Sequence, residues 1–170
     1  TNGTFAIIRA EIPEIALSSE YTTYNGAEQK PILTLTFGEG EKARTLVAET
    51  DYTVDWGSAN WIDVGTYTVK VTGLGNFTGT QTADFEIRQK SVTITIADAS
   101  KMYGVDVPTF TGSVTGLVND SDLGVVSYVR GNSTQDVGLY TGVLDVVYTA
   151  NDNYDVKVKM GDFEITKRPI

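Results

Sequence analysis

One block of sequence occurs twice in this chain, and the repetition constrains the fold more than any other feature. "DVGTY" at residues 63–67 returns as "DVGLY" at 136–140, and "DFEI" at 84–87 returns at 162–165. Solenoid repeats are short and depend on their neighbours for a core, whereas a period of about 78 residues is long enough for each copy to close its own core. The sequence therefore predicts two consecutive domains.

The end of each copy is marked by a Phe-x-Ile strand followed by basic residues, and this mark predicts the domain boundaries. We expect a first β repeat domain at residues 11–90 and a second at 91–170. Residues 1–10 carry a third copy of the mark, in "GTFAIIRA". They are interpreted either as the tail strand of an upstream repeat or as the first strand of domain 1. The junction "EIRQKSV" has no Gly/Ser stretch, so we expect a short connection that restricts bending.

Apolar and polar residues alternate along most of the chain, with almost no helical spacing. The clearest alternating runs are "PILTLTF", "TYTVKVTG", "SVTITIA" and "YDVKVKM". In the last run, Val156, Val158 and Met160 are predicted to point inward. Lys157 and Lys159 then face solvent. Gly, Asn and Asp interrupt the runs at short intervals, as turns require, so the pattern predicts an all-β protein.

Two architectures fit each repeat. About seven short strands per unit favour two tandem small β-sandwich-like, immunoglobulin-like domains, and this is the fold that we expect. The alternative is a β-grasp-like unit with one short helix. Its best support is the segment "GLVNDSDLG", where Asn119, Asp120 or Ser121 could cap a short 3₁₀ or α segment.

The composition argues against catalysis. The chain contains no histidine, so the commonest general base and the commonest transition-metal ligand are missing. It contains no cysteine, which removes disulfides and thiolate metal sites. The glycines of "VTGLGNFTG" lie between strands and lack the spacing of a dinucleotide site. We therefore expect no enzyme activity, no cofactor and no metal site.

The charge of the chain limits its partners. The formal net charge is −9 at pH 7, and both halves of the chain are acidic. Phosphate backbones and anionic lipid surfaces repel such a chain. No run of residues approaches the roughly 18 consecutive apolar positions that a membrane-spanning helix needs. We expect neither nucleic-acid binding nor membrane insertion by this segment.

Two tryptophans are the most distinctive candidates for a binding site. Trp56 and Trp61 lie five positions apart in "DWGSANW", and paired aromatic rings can stack on a sugar ring or on a protein surface. A structural role also fits, because Tyr52, Val54 and Trp56 alternate with polar neighbours as on a core-facing strand. Core or inter-repeat packing is the favoured interpretation, and a weak ligand contact at Trp56 and Trp61 is the alternative.

Two clusters of Asn and Asp raise the question of calcium. Asn119–Asp122 and Asn151–Asp155 offer the oxygen atoms that this cation prefers. They lack the spacing of an EF-hand, and turns use the same residues. We interpret both clusters as solvated loops.

The landmarks of the second repeat resemble a known family. "KMYGVDVP" near its start, "GLVND" in its middle and "ITKRP" at its end are similar to the MBG-type repeat of the YG variety, which occurs in tandem in bacterial adhesin-like cell-surface proteins. In the first repeat, "YNG", "DYTV", "VGTYTVKVTGLGNFTGT" and "FEI" resemble a related surface-protein repeat. "DWGSANW" is richer in tryptophan than this resemblance implies.

The resemblance implies a setting and no active site. It implies an extracellular location at a bacterial cell surface, with neighbouring repeats of the same chain as partners. Two hypotheses follow: the repeats are stalk or spacer modules in cell adhesion, or they bind a glycan or a host protein through exposed aromatics or a sheet edge. Repetition favours the spacer because added units lengthen a stalk, although added units also raise avidity.

Overall fold

The computed structural model of this chain describes residue 6 and residues 8–169. These residues form two compact units, of which one ends at Arg88 and the other begins at Gln89. We call them the first unit and the second unit. The copy of the tail-strand mark around Phe5 and Ile7 lies outside the described residues.

The first unit is built on a four-stranded sheet. Ten strands fall within its described residues: β1 (Ala10–Glu11), β2 (Ala16–Leu17), β3 (Tyr21–Thr23), β4 (Leu33–Thr34), β5 (Thr36–Phe37), β6 (Arg44–Thr45), β7 (Tyr52–Asp55), β8 (Gly65–Gly73), β9 (Phe77–Thr78) and β10 (Thr80–Arg88). The large sheet has the order β3-β10-β8-β7, in which only the β3–β10 pair is parallel. Three short pairs complete the unit: β1–β9, β2–β4 and β5–β6. Gly40–Lys42 forms a single 3₁₀ turn.

The second unit consists of two sheets. Its described residues form seven strands: β11 (Lys90–Ile96), β12 (Ala99–Met102), β13 (Gly112–Thr115), β14 (Ser127–Arg130), β15 (Gly138–Val147), β16 (Tyr154–Lys159) and β17 (Gly161–Thr166). One sheet has the order β13-β11-β16 and the other has the order β12-β17-β15-β14. The pairs β11–β16 and β12–β17 are parallel, and the other pairs are antiparallel.

The alternating runs form these strands because one side of each run is buried. Val69 and Val71 on β8 are fully buried. In the second unit, Ile94 on β11, Leu144 on β15 and Phe163 on β17 are also fully buried, so the two sheets enclose one core. Burying a side chain of this size contributes about 1.5–3 kcal/mol. The predicted all-β fold is confirmed.

The segment "GLVNDSDLG" is a turn, so the short helix of the alternative β-grasp-like fold does not form here. The Asp122 N–H donates to the Asn119 carbonyl at 3.1 Å, and the Gly124 N–H donates to the Ser121 carbonyl at 2.9 Å. These two bonds close successive tight turns, after which β14 begins. Gly124 then has a φ of 64°, a left-handed conformation that ends helical winding, so no helix continues from these turns.

The inward orientation predicted for β16 holds only at its start. Val156 is half-buried, whereas Val158 is 36% exposed and Met160, just past the end of the strand, is 50% exposed. The reason is the position of β16 at the edge of its three-stranded sheet, where no further strand covers it. Lys157 and Lys159 are exposed, as predicted, and charged residues of this kind protect an open sheet edge from pairing with other chains.

The two units share their strand register, so the sequence repeat is also a structural repeat. Ala10 lies opposite Phe77 and its N–H donates to Asn76, while Lys90 lies opposite Tyr154 and its N–H donates to the equivalent Asn153. Ala10–Glu11 thus opens the first unit at the position where Lys90 opens the second. The last strand of each unit, β10 or β17, pairs in parallel with a strand from the start of that unit.

Candidate functional site

Trp61 is a core residue of the first unit. Its side chain is 0% exposed, and its ring stacks on Tyr67 at 4.9 Å and on Phe85 at 6.2 Å between centroids. Its indole N–H donates to the backbone carbonyl of Trp56 at 2.8 Å. The ring therefore covers Tyr67 and Phe85, which lie opposite each other on β8 and β10, and its polar atom is hydrogen-bonded.

Trp56 is half-buried and stands against the edge of Trp61. The ring centroids are 5.1 Å apart and the planes meet at 85°, so the two indoles do not form one flat platform. The ammonium group of Lys30 lies 5.8 Å from the Trp56 ring centroid. A ligand could reach Trp56 alone, because Trp61 is enclosed. The predicted ligand contact therefore stays a prediction, and this geometry restricts it to Trp56.

The second unit fills the same place with an arginine. The guanidinium carbon of Arg130 lies 4.3 Å from the ring centroid of Phe163 and 5.3 Å from that of Tyr140, the residues equivalent to Phe85 and Tyr67. Arg130 also donates to the carbonyl of Thr134 at 2.6 Å. A planar cation can stack on aromatic faces much as an indole does. Both units thus cover the same aromatic pair, and the covering residue differs.

The repeated "DVGxY" block has a structural explanation. The Tyr67 hydroxyl donates to the Asp63 carbonyl at 2.7 Å, and the Tyr140 hydroxyl donates to the Asp136 carbonyl at the same distance. Each tyrosine thereby ties the start of its strand to the preceding loop, as a tyrosine corner does in immunoglobulin-like domains. Burial and the nearby charge of Asp63 raise the pKa of Tyr67, which keeps its hydroxyl protonated as a donor.

The two Asn/Asp clusters of the second unit meet around one carboxylate. The Tyr154 hydroxyl donates to the side chain of Asp122 and accepts the Val118 N–H at 2.9 Å. Asn151 donates to the Asp122 carbonyl at 3.2 Å. The Asp122 carboxylate also accepts the Asn119 N–H at 3.1 Å. Within the described residues, no group of three or more acidic side chains is arranged to hold a metal ion.

A buried carboxylate organises the first unit in a similar way. Asp51 is 7% exposed and accepts two hydrogen bonds from the guanidinium of Arg44, at 3.0 and 3.2 Å. It also accepts the Val47 N–H at 3.0 Å. The hydrogen bonds from Arg44 and Val47 lower the pKa of Asp51, and those from Tyr154 and Asn119 lower the pKa of Asp122. In each unit, one aspartate with a lowered pKa therefore accepts several hydrogen bonds and holds the surrounding loop in place.

An open groove of about 310 Å³ on the second unit gathers three more carboxylates. Asp98, Asp162 and Glu164 line it together with the exposed Leu139. Asp98 accepts the N–H of Asp162 at 2.8 Å, and Asp162 accepts the N–H of Gly142 at 2.7 Å. Gly142 has a φ of 61° at the irregularity in the β15–β17 pairing. Two of the three acids therefore support the backbone around a bulge.

Because Asp51 and Asp122 have lowered pKa values, we predict that both units lose stability in acid. The pKa of each of these carboxylates is lower in the folded unit than its usual value of about 3.8. The ionised carboxylate therefore stabilises the folded unit at any pH above about 3.8. This stabilisation is lost as the pH falls through the lowered pKa of the folded unit. We expect the melting temperatures of both units to fall progressively as the pH is lowered below about 5. The fluorescence of the two tryptophans reports the first unit, and calorimetry with amide NMR reports the second.

The Tyr154 hydroxyl contributes to the acid response of the second unit through Asp122. Tyr154→Phe removes the main hydrogen bond that lowers the pKa of Asp122, so the transition of this unit should depend less on pH below 5. It also leaves the Val118 N–H without its acceptor, at a cost of about 1–3 kcal/mol at pH 7. Phe77 holds the equivalent position in the first unit, so the ring without a hydroxyl fits this fold. An unchanged pH profile would contradict the role given to Asp122.

Two family models match the chain. One, described as "MBG domain", matches residues 14–98, and the other, described as "MBG domain (YGX type)", matches residues 92–164. No curated protein and no solved structure matches it. Over the described part of the chain, the structure contains no helix that is both long and apolar enough to cross a membrane.

Proposed function

Because this chain belongs to the MBG domain family, we propose that its two units are non-catalytic spacer modules of a bacterial adhesin-like surface protein. MBG repeats are found in adhesin-like surface proteins and are typical of extracellular ones. In this proposal the segment lies at the bacterial cell surface, its partners are neighbouring repeats, and its role in cell adhesion is to hold another domain away from the cell.

One observation carries the mechanical part of the proposal. In each unit a strand near the beginning pairs in parallel with the last strand: β3 with β10, and β12 with β17. Tension along the chain pulls two such strands in opposite directions along their length, so their evenly spaced hydrogen bonds are loaded together. Antiparallel strands pulled apart from one end break their bonds one at a time. The topology therefore suits modules that carry tension.

The use of the polar side chains supports the same role. Three acidic side chains that lie in the interior or in a groove accept hydrogen bonds from backbone N–H groups. They belong to Asp51, Asp122 and Asp162. Their hydrogen bonds fix turns and a bulge. Only Gln89 separates the end of β10 at Arg88 from the start of β11 at Lys90, so the two units are joined without a flexible linker.

Force spectroscopy on the two-unit chain tests the spacer role. Pulling on the two ends should give two separate unfolding events, each releasing roughly 250 Å of chain at about 3.4 Å per residue. The control attaches the handles to cysteines introduced at Ser127 and Val147, which lie opposite each other on antiparallel β14 and β15. The chain has no other cysteine. We expect a clearly lower force in the control, and equal forces in the two geometries would contradict the proposal.

A further inference from the structure

A cleft of about 400 Å³ opens on the second unit between the turn after β12 and the loop before β15. The apolar part of its lining consists of Tyr103, Val105 and Val107, which are 52%, 45% and 45% exposed. The polar part includes Lys101 and Gln135. Neither the sequence motifs nor the family matches assign this cleft a role.

The Tyr-Gly pair of this unit forms the wall of the cleft. Met102 to Val105 make a tight turn in which the Val105 N–H donates to the Met102 carbonyl at 3.1 Å. Gly104 occupies the third position with a φ of 80°, as a type II turn requires. The turn places Tyr103 at its second position, where the side chain projects from the surface. The ring is therefore presented to solvent by a rigid piece of backbone.

The floor of the cleft is polar and ordered. The Lys101 ammonium donates to the Val105 carbonyl at 2.9 Å and to the Gln135 side-chain oxygen at 2.5 Å. An ammonium group has three donors, so one remains for a ligand. Gln135 is held in turn by its contact with the Ser133 carbonyl at 3.3 Å. Asp106 adds one carboxylate, which balances the lysine charge within the lining.

The first unit shows the same corner closed. Tyr24 is equivalent to Tyr103, since the N–H of each donates to the end of the last strand at 2.9 Å. Tyr24 is only 7% exposed, whereas Tyr103 is 52% exposed. The segment after Tyr24 is tied down by the Gln29 N–H, which donates to the Trp61 carbonyl at 2.8 Å. The loop before β15 in the second unit has seven residues and no tryptophan, whereas the equivalent loop before β8 has nine residues and contains both tryptophans, so this corner stays open in the second unit.

We propose that this cleft binds an uncharged, hydroxyl-rich ring, such as one sugar residue of a glycan. The ring of Tyr103 and the two valines offer an apolar face for the C–H groups of a sugar. Lys101, Gln135 and Asp106 offer donors and acceptors for its hydroxyls. The lining contains one lysine and one aspartate, so its formal charges cancel, which favours an uncharged ligand over an ion. This binding is independent of the spacer role.

The experiment is an amide NMR titration of the whole labelled chain with lactose, maltotriose and chitotriose at millimolar concentrations. We expect at least one of these neutral probes to shift amide signals of residues 101–107 and 133–137. Tyr103→Ala should weaken that binding at least tenfold. The matched control is Tyr21→Ala on β3, which removes a tyrosine of similar exposure, 50%, from the first unit and should leave binding unchanged.

Three outcomes would overturn the proposal. The first is no shift in these two segments with any of the three sugars. The second is binding that survives Tyr103→Ala while the spectrum shows that the variant is folded. The third is tighter binding of glucosamine or glucose 6-sulfate, a cationic and an anionic sugar, than of the neutral probes. None of these results bears on the unfolding forces that test the spacer role.

Discussion

Replacing Trp61 with alanine is expected to destabilise the first unit by about 3–5 kcal/mol, the usual cost of removing a large buried aromatic side chain. The ring is fully buried, stacks on Tyr67 and Phe85, and donates a hydrogen bond to the Trp56 carbonyl. A small domain has only about 5–15 kcal/mol of stability in total. The variant should therefore unfold at a much lower urea concentration, which the fluorescence of the remaining Trp56 reports.

Trp56→Ala is the matched control for this experiment. Its indole is half-buried, and the carbonyl that accepts the Trp61 hydrogen bond belongs to the backbone, so alanine keeps that acceptor. We expect less than half of the destabilisation caused by Trp61→Ala. Equal losses in the two variants would mean that the tryptophan pair, and not the stacking of Trp61, stabilises this corner. The amide signals of the second unit should stay unchanged in both variants.

The strands were predictable from the sequence because their signal is local. The alternation around Val69 and Ile94 predicts both the strands and their buried sides, and the structure confirms both. The equivalence of the two repeats was also visible, since "DVGxY" and "DFEI" hold matching positions in the two registers. The order of the strands and the parallel pairs were not predictable. Alternation has the same period in a parallel and an antiparallel strand, so it carries no information on direction.

The tryptophan pair shows why a candidate site is harder to predict than a strand. Spacing alone could not distinguish a stacked core residue from a platform, because both use the same side chains. Trp61 also has a φ of 55°, a left-handed conformation that bulky residues rarely adopt, and packing on Tyr67 and Phe85 maintains it. No local sequence pattern predicts this left-handed backbone conformation at Trp61. The equivalent role of Arg130 is still less visible, since an arginine at the end of a strand usually faces solvent.

The cleft beside Tyr103 was missed for a related reason. The Tyr103-Gly104 pair forms a turn in which Gly104 has a φ of 80°, and a Tyr-Gly pair alone does not distinguish a turn from a binding site. What makes the turn a candidate site is the short loop around Gln135, more than thirty residues further along the chain. The available signal was that the second repeat has no tryptophan in the loop that corresponds to the one carrying Trp61. The sequence alone does not show that Trp61 packs in the core, so it does not show that a loop without a tryptophan leaves a cleft.

The largest effect in the second unit is expected from Phe163→Ala, at about 3–5 kcal/mol. Phe163 is 0% exposed, lies 5.7 Å from Phe110 in an edge-to-face contact, and carries the guanidinium of Arg130 on its ring. Alanine would leave a cavity and an arginine without its aromatic partner. For a domain of about 80 residues, each kcal/mol lowers the melting temperature by about 4–8 °C. Calorimetry should therefore show one transition shifted by at least 12 °C or lost.

The tryptophans make this variant a test of autonomy as well as of packing. Trp56 and Trp61, the only tryptophans in the chain, both belong to the first unit, so their fluorescence follows that unit alone. If each repeat closes its own core, Phe163→Ala leaves the urea midpoint of this fluorescence unchanged. Val158→Ala, at the exposed edge of β16, is the control and should cost less than about 1 kcal/mol. A fluorescence midpoint that falls together with the second unit would mean that the two cores unfold as one, and a spacer assembled from independent modules would then be the wrong description of this chain.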